Sequence, residues 1–377
     1  DRILAFDPDT GVLAAEAGLS LAQIYELLLP RGFFVPVTPG TRFVTLGGMV
    51  AADVHGKNHH RDGTFGRHVE QLVIRTGTGE IVRCSPAASP DLFFATIGGM
   101  GLTGHILEVS LRMARVPSPW IVQDVQAIAS LDDFVPALKA AGTQWPMTVG
   151  WIDTFASGRS LGRGVLLQGR WAEASEAPRT QPSSPRSMQI PPALPQLLLK
   201  PPVLRAFNAL YERRTAAMGR QAVSPIRFFY PLDSIVGWNR FYGPRGFIQY
   251  QCVIPDNNAL PALRELFTML QHRKAVPFLN VIKDCGQEGQ GTLSFPMPGV
   301  TVAMDLKMTD DMQAIVHEMN AIVRAGGGRV YLAKDALTRA DDYRAMDPRV
   351  DEFLRVRRKW DPNGNIRSAM SVRLFGW

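Results

Sequence analysis

The stretch GMGLTG, residues 99–104, places three glycines at the spacing G-x-G-x-x-G, and its neighbours limit what it can form. In a dinucleotide-binding Rossmann unit this spacing follows a strand and opens a helix, whose N-terminus carries the pyrophosphate. Here the preceding residues, 89–96, have the pattern of a short capped helix, and the following residues, 105–113, are typical of a strand. The order of elements therefore excludes a Rossmann site and predicts a glycine-rich turn.

A second cluster of small residues, PGTRFVTLGGMVAADVHG, spans residues 39–56. Glycine and alanine let backbone N–H groups come close to a flat or anionic ligand. The same composition also suits tight turns that pack against a helix. Composition alone leaves both interpretations open.

Three of the seven histidines lie in VHGKNHH, residues 54–60. His55 and His59 have the i, i+4 spacing of helical metal ligands, but Gly56 between them disfavours a helix. No cysteine or acidic partner follows at a spacing typical of zinc sites, so we expect no metal. The alternatives are loop histidines that donate to backbone carbonyls and histidines that pack against a flat cofactor.

The chain of 377 residues is long enough for two or three domains, at roughly 150 residues each. The first part predicts a helix from about Ser20 to Leu29 and a hairpin with Thr78 and Gly79 at its tip. After about Pro117, strands and helices alternate, which predicts an α+β layer with helices on one face of a mostly antiparallel sheet. The many prolines in residues 177–202 predict a mobile loop.

Bulk composition narrows the classes of partner. The net charge of +7 suits an anionic partner, such as a phosphorylated substrate or an acidic membrane. The alternative is that the chain is a basic protein that has no anionic partner. Basic residues are scattered rather than interleaved with aromatic ones, which argues against nucleic acid. Three separated cysteines without a CxxC motif argue against a disulfide framework, and no apolar run approaches the ~20 residues of a membrane span. The sequence begins in mid-pattern, so we expect a truncated or processed chain.

The two glycine clusters together resemble the vanillyl-alcohol-oxidase (PCMH) type of FAD-binding fold, in which segments like PGT…TLGG…HG and LFFATIGGMGLTG line the cofactor. Six further segments resemble, in order, the family of decaprenylphosphoryl-β-D-ribose 2-oxidases: VHGKNHHRDGTFGRHV, FYPLDSIVGWNRFYGPRGFIQYQ, FLNVIK, LSFPMPG, YLAKDALT and MDPRVDEFLRVRRKWDPNG. The resemblance covers nearly the whole chain. It implies a two-domain α+β fold: an FAD-binding domain at 1–118, an antiparallel-sheet substrate domain at 119–328, and a return to the FAD domain at 329–377. The family's first FAD segment, a glycine-rich motif with arginine and serine, lies before the start of this sequence, so we expect that part of the FAD domain to be missing.

The resemblance implies that FAD binds non-covalently. His55 would lie beside the flavin, and Lys57 would project toward the substrate. The FAD contacts that it implies, mostly through backbone, are Gly40, Thr45, Leu46, Gly47, Gly48, Ala52, Asp53, Val54, His55, Ile106 and Tyr331.

Strand alternation gives independent support for a sugar site. In IQYQCV, Gln249 and Gln251 share one face, which suits a polyhydroxylated sugar, and Ile248, Tyr250 and Cys252 share the other. The same alternation groups Thr301 with Ala303 and Asp305, Lys283 with Val281, and Lys334 with Leu332. The resemblance implies that Lys334, Lys283 and His55 are catalytic. The alternative for each lysine is a solvated charge on the surface. It makes the substrate contacts Lys57, Gln249, Gln251, Thr301, Ala303, Phe229 and Trp151.

Two positions depart from mycobacterial members of the family. Ala303 stands where they carry the cysteine that covalent nitroaromatic inhibitors attack, and Thr301 replaces a nearby asparagine. A thiol is therefore not expected to take part in catalysis here, and we expect such inhibitors to bind only non-covalently.

The activity that the resemblance implies is FAD-dependent oxidation of the 2-hydroxyl of a polyprenyl-phosphate-linked ribofuranose to the 2-keto sugar. Lys334 would act as base or alkoxide stabiliser, with Lys283 lowering its pKa. A separate short-chain reductase would complete epimerisation to arabinose for cell-wall polysaccharide. The protein would be soluble or peripheral at the inner membrane, on its cytoplasmic or periplasmic face. The 177–202 loop would cover the lipid tail of the substrate. The alternatives for the basic run Arg355, Arg357, Arg358 and Lys359 are contact with anionic lipid and a solvated helix face. The alternatives are an FAD-linked alditol or sugar-lactone oxidase of soluble sugars and a non-catalytic protein that binds a lipid-linked sugar or a partner.

Overall fold

The computed structural model describes residues 1–183, 186–191 and 201–377. The chain divides into two compact units. Unit 1 comprises Asp1–Pro119, Gln287–Pro296 and Arg339–Trp377, and unit 2 comprises Trp120–Gly286 and Met297–Thr338.

The first part of unit 1 combines short helices with strands. Its elements are β1 (Ile3–Asp7), β2 (Val12–Glu16), α1 (Leu21–Leu28), β3 (Phe33–Phe34), α2 (Leu46–Ala51), α3 (His59–Asp62), β4 (Val69–Arg75), β5 (Ile81–Cys84), α4 (Pro90–Thr96), β6 (His105–Arg112) and β7 (Ala114–Arg115). Within the part of the chain that the structure describes, five of these strands form an antiparallel sheet in the order β1-β2-β6-β4-β5.

Local signals in unit 1 produced the predicted elements. Ser20 caps α1 in a capping box with Gln23, and Leu21, Ile24 and Leu28 are buried. β4 and β5 form the predicted hairpin, where Gly79 has a φ of 87° that glycine accommodates without strain. α4 precedes the glycine turn and β6 follows it, which confirms the order that excluded a Rossmann site. The side chain of Ser89 makes no capping hydrogen bond, so α4 begins with Pro90 instead of the predicted cap.

Unit 2 is built on a larger sheet. Its elements are β8 (Ile121–Ile128), α5 (Leu131–Gln144), β9 (Met147–Ile152), β10 (Gly164–Trp171), β11 (Met188–Gln189), α6 (Pro201–Ala216), β12 (Gln221–Val223), α7 (Pro225–Phe229), β13 (Ile235–Val236), β14 (Phe247–Ile254), α8 (Asp256–His272), β15 (Leu279–Cys285), β16 (Gly299–Lys307), α9 (Met312–Ala325) and β17 (Arg329–Val330). Among the described residues, eight of these strands form one antiparallel sheet in the order β12-β8-β10-β9-β15-β16-β14-β17, as predicted.

Helices α5 and α9 contact the same face of this sheet. Phe134 of α5 lies where a side chain at Gly150 of β9 would project, next to Ile282 of β15. On β14, the Tyr250 hydroxyl donates to Asn320 of α9 at 2.9 Å. Side chains that alternate with these point to the opposite face, which is called the polar face below because of the residues it carries.

Unit 1 ends with α10 (Ala340–Met346), α11 (Val350–Trp360) and α12 (Ala369–Phe375). Arg357 of α11 is buried, bonds Asp361 at 3.2 Å and lies over the Trp377 ring. Lys359 pairs with Asp91 at 2.7 Å. The expectation that this basic run faces lipid is therefore wrong for Arg357, because its guanidinium belongs to the interior of unit 1.

The boundaries of the two units differ from the predicted domains in two places. Residues 287–296 group with unit 1, where the Thr292 N–H donates to the Phe94 carbonyl at 2.9 Å. Residues 329–338 group with unit 2, because β17 extends the large sheet by pairing with β14.

The predicted loop at 177–202 lies partly outside the described residues, and its mobility stays a prediction. Within the loop, β11 pairs in parallel with β13, and α6 begins at Pro201. No helix in the described ranges is long and apolar enough to cross a bilayer.

Candidate functional site

Helix α2 presents a surface without bulky side chains. Thr45 caps the helix by accepting from the Gly48 N–H at 3.2 Å, while Leu46 and Met49 are buried. Thr45 and Gly48 are exposed, and a spacing of three residues places them on one face of the helix. A Cβ on Gly48 would meet only the Thr45 hydroxyl oxygen, so this face is open to a flat group.

Gly47 has a different role from Gly48. A Cβ at Gly47 would lie 3.0 Å from the Cβ of Ala17 and 3.7 Å from that of Ile106. The missing side chain therefore lets α2 pack on the small sheet. The packing interpretation of the 39–56 cluster therefore holds for Gly47, and the cofactor contact of Gly48 stays a prediction.

The two glycine clusters lie side by side in unit 1. The Gly98 N–H donates to the Val50 carbonyl at 3.0 Å, and the Met100 N–H donates to the Ala51 carbonyl at 2.8 Å. A Cβ on Gly40 or Gly101 would meet nothing within 4 Å. Backbone hydrogen bonds thus join the glycine-rich turn to the end of α2, and the open space at Gly40 and Gly101 fits a planar cofactor such as FAD.

The histidine loop, residues 54–60, packs through its aromatic side chains. The His55 ring lies 6.1 Å from that of His59 and 5.6 Å from that of Phe295, and His55 is buried. Lys57 is partly exposed, yet burial lowers the pKa of its ammonium group to about 8. In the described part of the chain, no cluster of three or more His, Cys, Asp or Glu residues could hold a metal ion.

Asp53 directly precedes this loop and anchors it through buried hydrogen bonds. Its carboxylate is fully buried and accepts the Gly66 N–H at 2.8 Å and the Ser294 hydroxyl. Burial raises the pKa of the Asp53 carboxyl to about 6. The family resemblance implied only an FAD contact for Asp53 and no role for Ser294, although LSFPMPG was among the family-like segments. Nothing in the sequence pairs residues so far apart.

The polar face of unit 2 collects the predicted substrate contacts. Register pairs Gln249 with Asp305 and Gln251 with Ala303, and Ala303 with Val281 in turn. The remaining register pairs join Lys283 to Thr301 and Trp151 to Val281. The alternation predicted for β14, β15 and β16 is confirmed, because paired residues in a sheet point to the same side.

The two amides on the polar face are held in defined orientations. Gln249 donates through Nε2 to Asp305 at 2.9 Å, and Gln251 donates through Nε2 to the Thr301 hydroxyl oxygen at 3.0 Å. Thr301 in turn donates to the Cys252 carbonyl at 2.8 Å. Gln249 is exposed, whereas Gln251 and Thr301 are buried. Gln249 is therefore the more accessible amide.

Asp305 gathers further donors that sequence reasoning missed. It accepts from Trp238 Nε1 at 3.0 Å and from the Tyr242 hydroxyl at 3.3 Å, both on the helical turn Trp238–Tyr242. Burial raises the pKa of the Asp305 carboxyl. Burial lowers the pKa of the Lys334 ammonium, and the charge of Asp305 partly opposes that effect. The sequence signal that could have found this cluster was strand alternation, which places Asp305 on the same face of the sheet as Gln249.

Three other predicted residues are placed as follows. Lys334 ends a short 3-10 turn, Leu332–Lys334, so the strand alternation assumed for this segment was wrong. Trp151 is buried against Tyr211 of α6, with ring centroids 4.9 Å apart. Phe229 is buried against Trp171 of β10 at 6.0 Å. Their contacts with substrate stay predictions, as does the FAD contact of Tyr331, which is buried and donates its N–H to the Gln251 carbonyl.

Comparison with known proteins adds independent information. A family model described as an FAD binding domain matches residues 1–85. The decaprenylphosphoryl-β-D-ribose oxidase of Mycolicibacterium smegmatis is 36% identical over 99% of this chain and 83% of that protein. An uncharacterised protein of Streptomyces coelicolor, from the mprA 5′ region, is 32% identical over 94% of this chain and its own full length. A putative D-arabinono-1,4-lactone oxidase of Neurospora crassa is 30% identical over 30% of this chain and 20% of that protein.

Proposed function

This chain belongs to the family of FAD-dependent decaprenylphosphoryl-β-D-ribose oxidases, and we propose that it oxidises the 2-hydroxyl of a polyprenyl-phosphate-linked ribofuranose to the 2-keto sugar. It is an FAD-dependent oxidoreductase. The observation that carries the proposed substrate is a likeness to one oxidase over almost the entire chain, including the strands of the polar face. The exposed amide of Gln249 on that face is suited to sugar hydroxyls.

In the proposed mechanism, residues of unit 1 hold the cofactor. Gly40, Gly48 and Ala52 would allow close backbone approach and His55 would lie beside the flavin, while Gly47 contributes by letting α2 pack on the small sheet. The binding is non-covalent. FAD, when bound, supplies a hydride acceptor for the oxidation of a secondary alcohol.

Residues of unit 2 orient and deprotonate the sugar in this proposal. Lys334 contacts the reacting hydroxyl and receives its proton while the C–H bond breaks. Burial favours the neutral amine that this task needs, since it lowers the pKa of Lys334. Lys283 adds positive charge, which disfavours a second ammonium and steadies the developing alkoxide. The alcohol thus loses a hydride and a proton and becomes a ketone.

Further substrate contacts follow from the same proposal. Lys57 pairs with the anionic part of the substrate, and Gln249, Gln251 and Thr301 orient the ribose. Trp151, Phe229 and Ala303 give the site its apolar wall. A separate short-chain reductase completes a 2-epimerisation to arabinose for cell-wall polysaccharide, and the protein contacts the membrane peripherally.

The second enzyme candidate is an oxidase of soluble alditols or sugar lactones. The lactone oxidase of Neurospora crassa matches only 30% of this chain, so it supports the shared cofactor rather than a shared substrate. A non-catalytic role does not fit a member of this family of FAD-dependent oxidases.

The test is anaerobic reduction of the bound flavin by a panel of pentoses. We expect polyprenyl-phosphate ribose to bleach the flavin absorbance at low concentration, and free ribose, alditols and lactones to leave it unchanged. Bleaching by free sugars with hydrogen peroxide formation in air, and none by the lipid-linked sugar, would overturn the proposal. Polyprenyl-phosphate arabinose serves as the matched control for the configuration at C2.

A further inference from the structure

Asp305 has the properties of an organising residue on the polar face. Its side chain is only 3% exposed and accepts three side-chain hydrogen bonds, from Gln249, Trp238 and Tyr242. A buried carboxylate with several donors is held in one orientation, and its loss leaves those donors unsatisfied. None of these bonds is needed to form the sheet itself, because the strands pair through their backbone.

The bond to Asp305 determines what Gln249 offers to a ligand. An ionised carboxylate can only accept, so the Gln249 amide must turn its Nε2 toward Asp305. The Oε1 atom then points away from that bond and can only accept. Since Gln249 is exposed, it presents an acceptor to an incoming hydroxyl donor.

Asp305 also acts on the charge of Lys334. Its negative charge favours the ammonium form and opposes the effect of burial. Tyr242 is a second titratable group against Asp305. Burial and the charge of Asp305 raise the pKa of Tyr242, so this phenol stays a neutral donor. Asp305 is thus the negative group that acts on Lys334 from the sheet.

We propose that Asp305 is a positioning residue of the active site, which fixes Gln249 as the acceptor for a sugar hydroxyl and supplies the counter-charge of Lys334. This inference rests on the proposed function and adds to it a residue that need not touch the substrate. It implies that an Asn side chain at position 305, although similar in shape, fails in both tasks. An amide can turn its NH₂ toward Gln249, and it carries no charge.

The test measures anaerobic flavin reduction by polyprenyl-phosphate ribose over a range of pH in the FAD-loaded protein. For Asp305→Asn we expect the apparent pKa of the reduction rate to fall by about one unit or more, because removing a nearby anion favours the neutral amine. We also expect KM to rise roughly tenfold, as for the loss of one oriented hydrogen bond to a ligand. A purely structural role would lower the rate without moving the pH profile.

The matched control is Asp153→Asn in the same unit. Asp153 is also buried and pairs with Arg163 at 3.2 Å, so its loss tests for general destabilisation. We expect this variant to melt at a lower temperature and to keep the pH profile of the unmodified protein.

A second variant tests the proposal if Asp305→Asn does not fold. Trp238→Phe keeps the carboxylate but removes a donor that lowers the pKa of Asp305. Below this raised pKa the protonated carboxyl no longer fixes Gln249 as an acceptor, so the rise of KM at acid pH should begin at a higher pH than in the unmodified protein.

The outcomes separate the two proposals. If the unmodified protein is not reduced by the lipid-linked ribose, the proposed function fails. If it is reduced, but the Asp305 and Trp238 variants keep its pH profile and KM, the role of Asp305 fails while the proposed function stands.

Discussion

The Ser294 hydroxyl donates to the Asp53 carboxylate across 241 positions of sequence, and both side chains are fully buried within unit 1. The bond joins the histidine loop to the segment 287–296. Arg349 holds the same segment, donating to the Ser294 carbonyl at 3.0 Å and pairing with Glu288 at 2.8 Å. A loop that carries proposed cofactor contacts is therefore tied to a distant part of the chain.

The first prediction concerns the pH dependence of stability. The pKa of Asp53 is raised by burial to about 6, so the folded protein binds this proton more tightly than the unfolded chain. Its contribution is fully present below about pH 4 and is lost as the pH rises to about 6, a change of up to about 3 kcal/mol. Asp53→Asn should remove this part of the slope in urea unfolding. A difference between the two proteins that does not vary with pH would contradict the prediction.

The second prediction separates packing from cofactor access in α2. Gly48→Leu places its side chain on the open face, so we expect it to abolish FAD binding while thermal stability changes little. Gly47→Leu should instead destabilise the protein by about 1–3 kcal/mol, because its side chain would overlap Ala17. Flavin content after purification and melting followed by circular dichroism measure the two effects. Full flavin content in Gly48→Leu would place the cofactor elsewhere.

The third prediction concerns Lys334. Lys334→Ala should lower the rate of flavin reduction by lipid-linked ribose at least about a hundredfold, the usual contribution of an acid–base group, while FAD stays bound. Lys307→Ala, at the exposed end of β16, is the matched control and should reduce flavin normally. Stopped-flow absorbance gives both rates. Normal turnover in Lys334→Ala would reject its catalytic role.

The fourth prediction follows from the pKa of Lys57. Because burial lowers that pKa to about 8, the positive charge is present at neutral pH and is lost as the pH rises toward 9. If Lys57 binds an anionic substrate, KM should rise across this range, and Lys57→Met should show a KM roughly tenfold higher at neutral pH with no further rise. Steady-state kinetics at several pH values test this. An equal rise in both proteins would assign the effect to another group.

The fifth prediction concerns covalent inhibition. The three cysteines are buried free thiols with pKa values raised by burial to about 12, so almost no thiolate exists at neutral pH. Nitroaromatic inhibitors should therefore add no mass to the protein during turnover. Ala303→Cys places a thiol on the polar face and should yield a covalent adduct by mass spectrometry. An adduct on the unmodified chain would show that another nucleophile is available.

The sequence by itself determined the local elements and the character of the two candidate surfaces. Ser20 and Gln23 specified the start of α1, and alternation in β14 and β16 placed Gln249 and Asp305 on one face, because these patterns depend only on neighbouring residues and on strand geometry. The order helix, turn, strand around Gly99 was likewise readable without a structure. Alternation failed at Lys334, where a helical turn replaces the assumed strand.

Only the tertiary structure decided which distant groups form hydrogen bonds or interact through their charges. The pairing of Asp53 with Ser294, the donors that Trp238 and Tyr242 give to Asp305, and the inward turn of Arg357 join residues that no local pattern connects. Burial then set the pKa values of Asp53 and Lys57, since the free energy of a charge depends on how completely packing removes water from it.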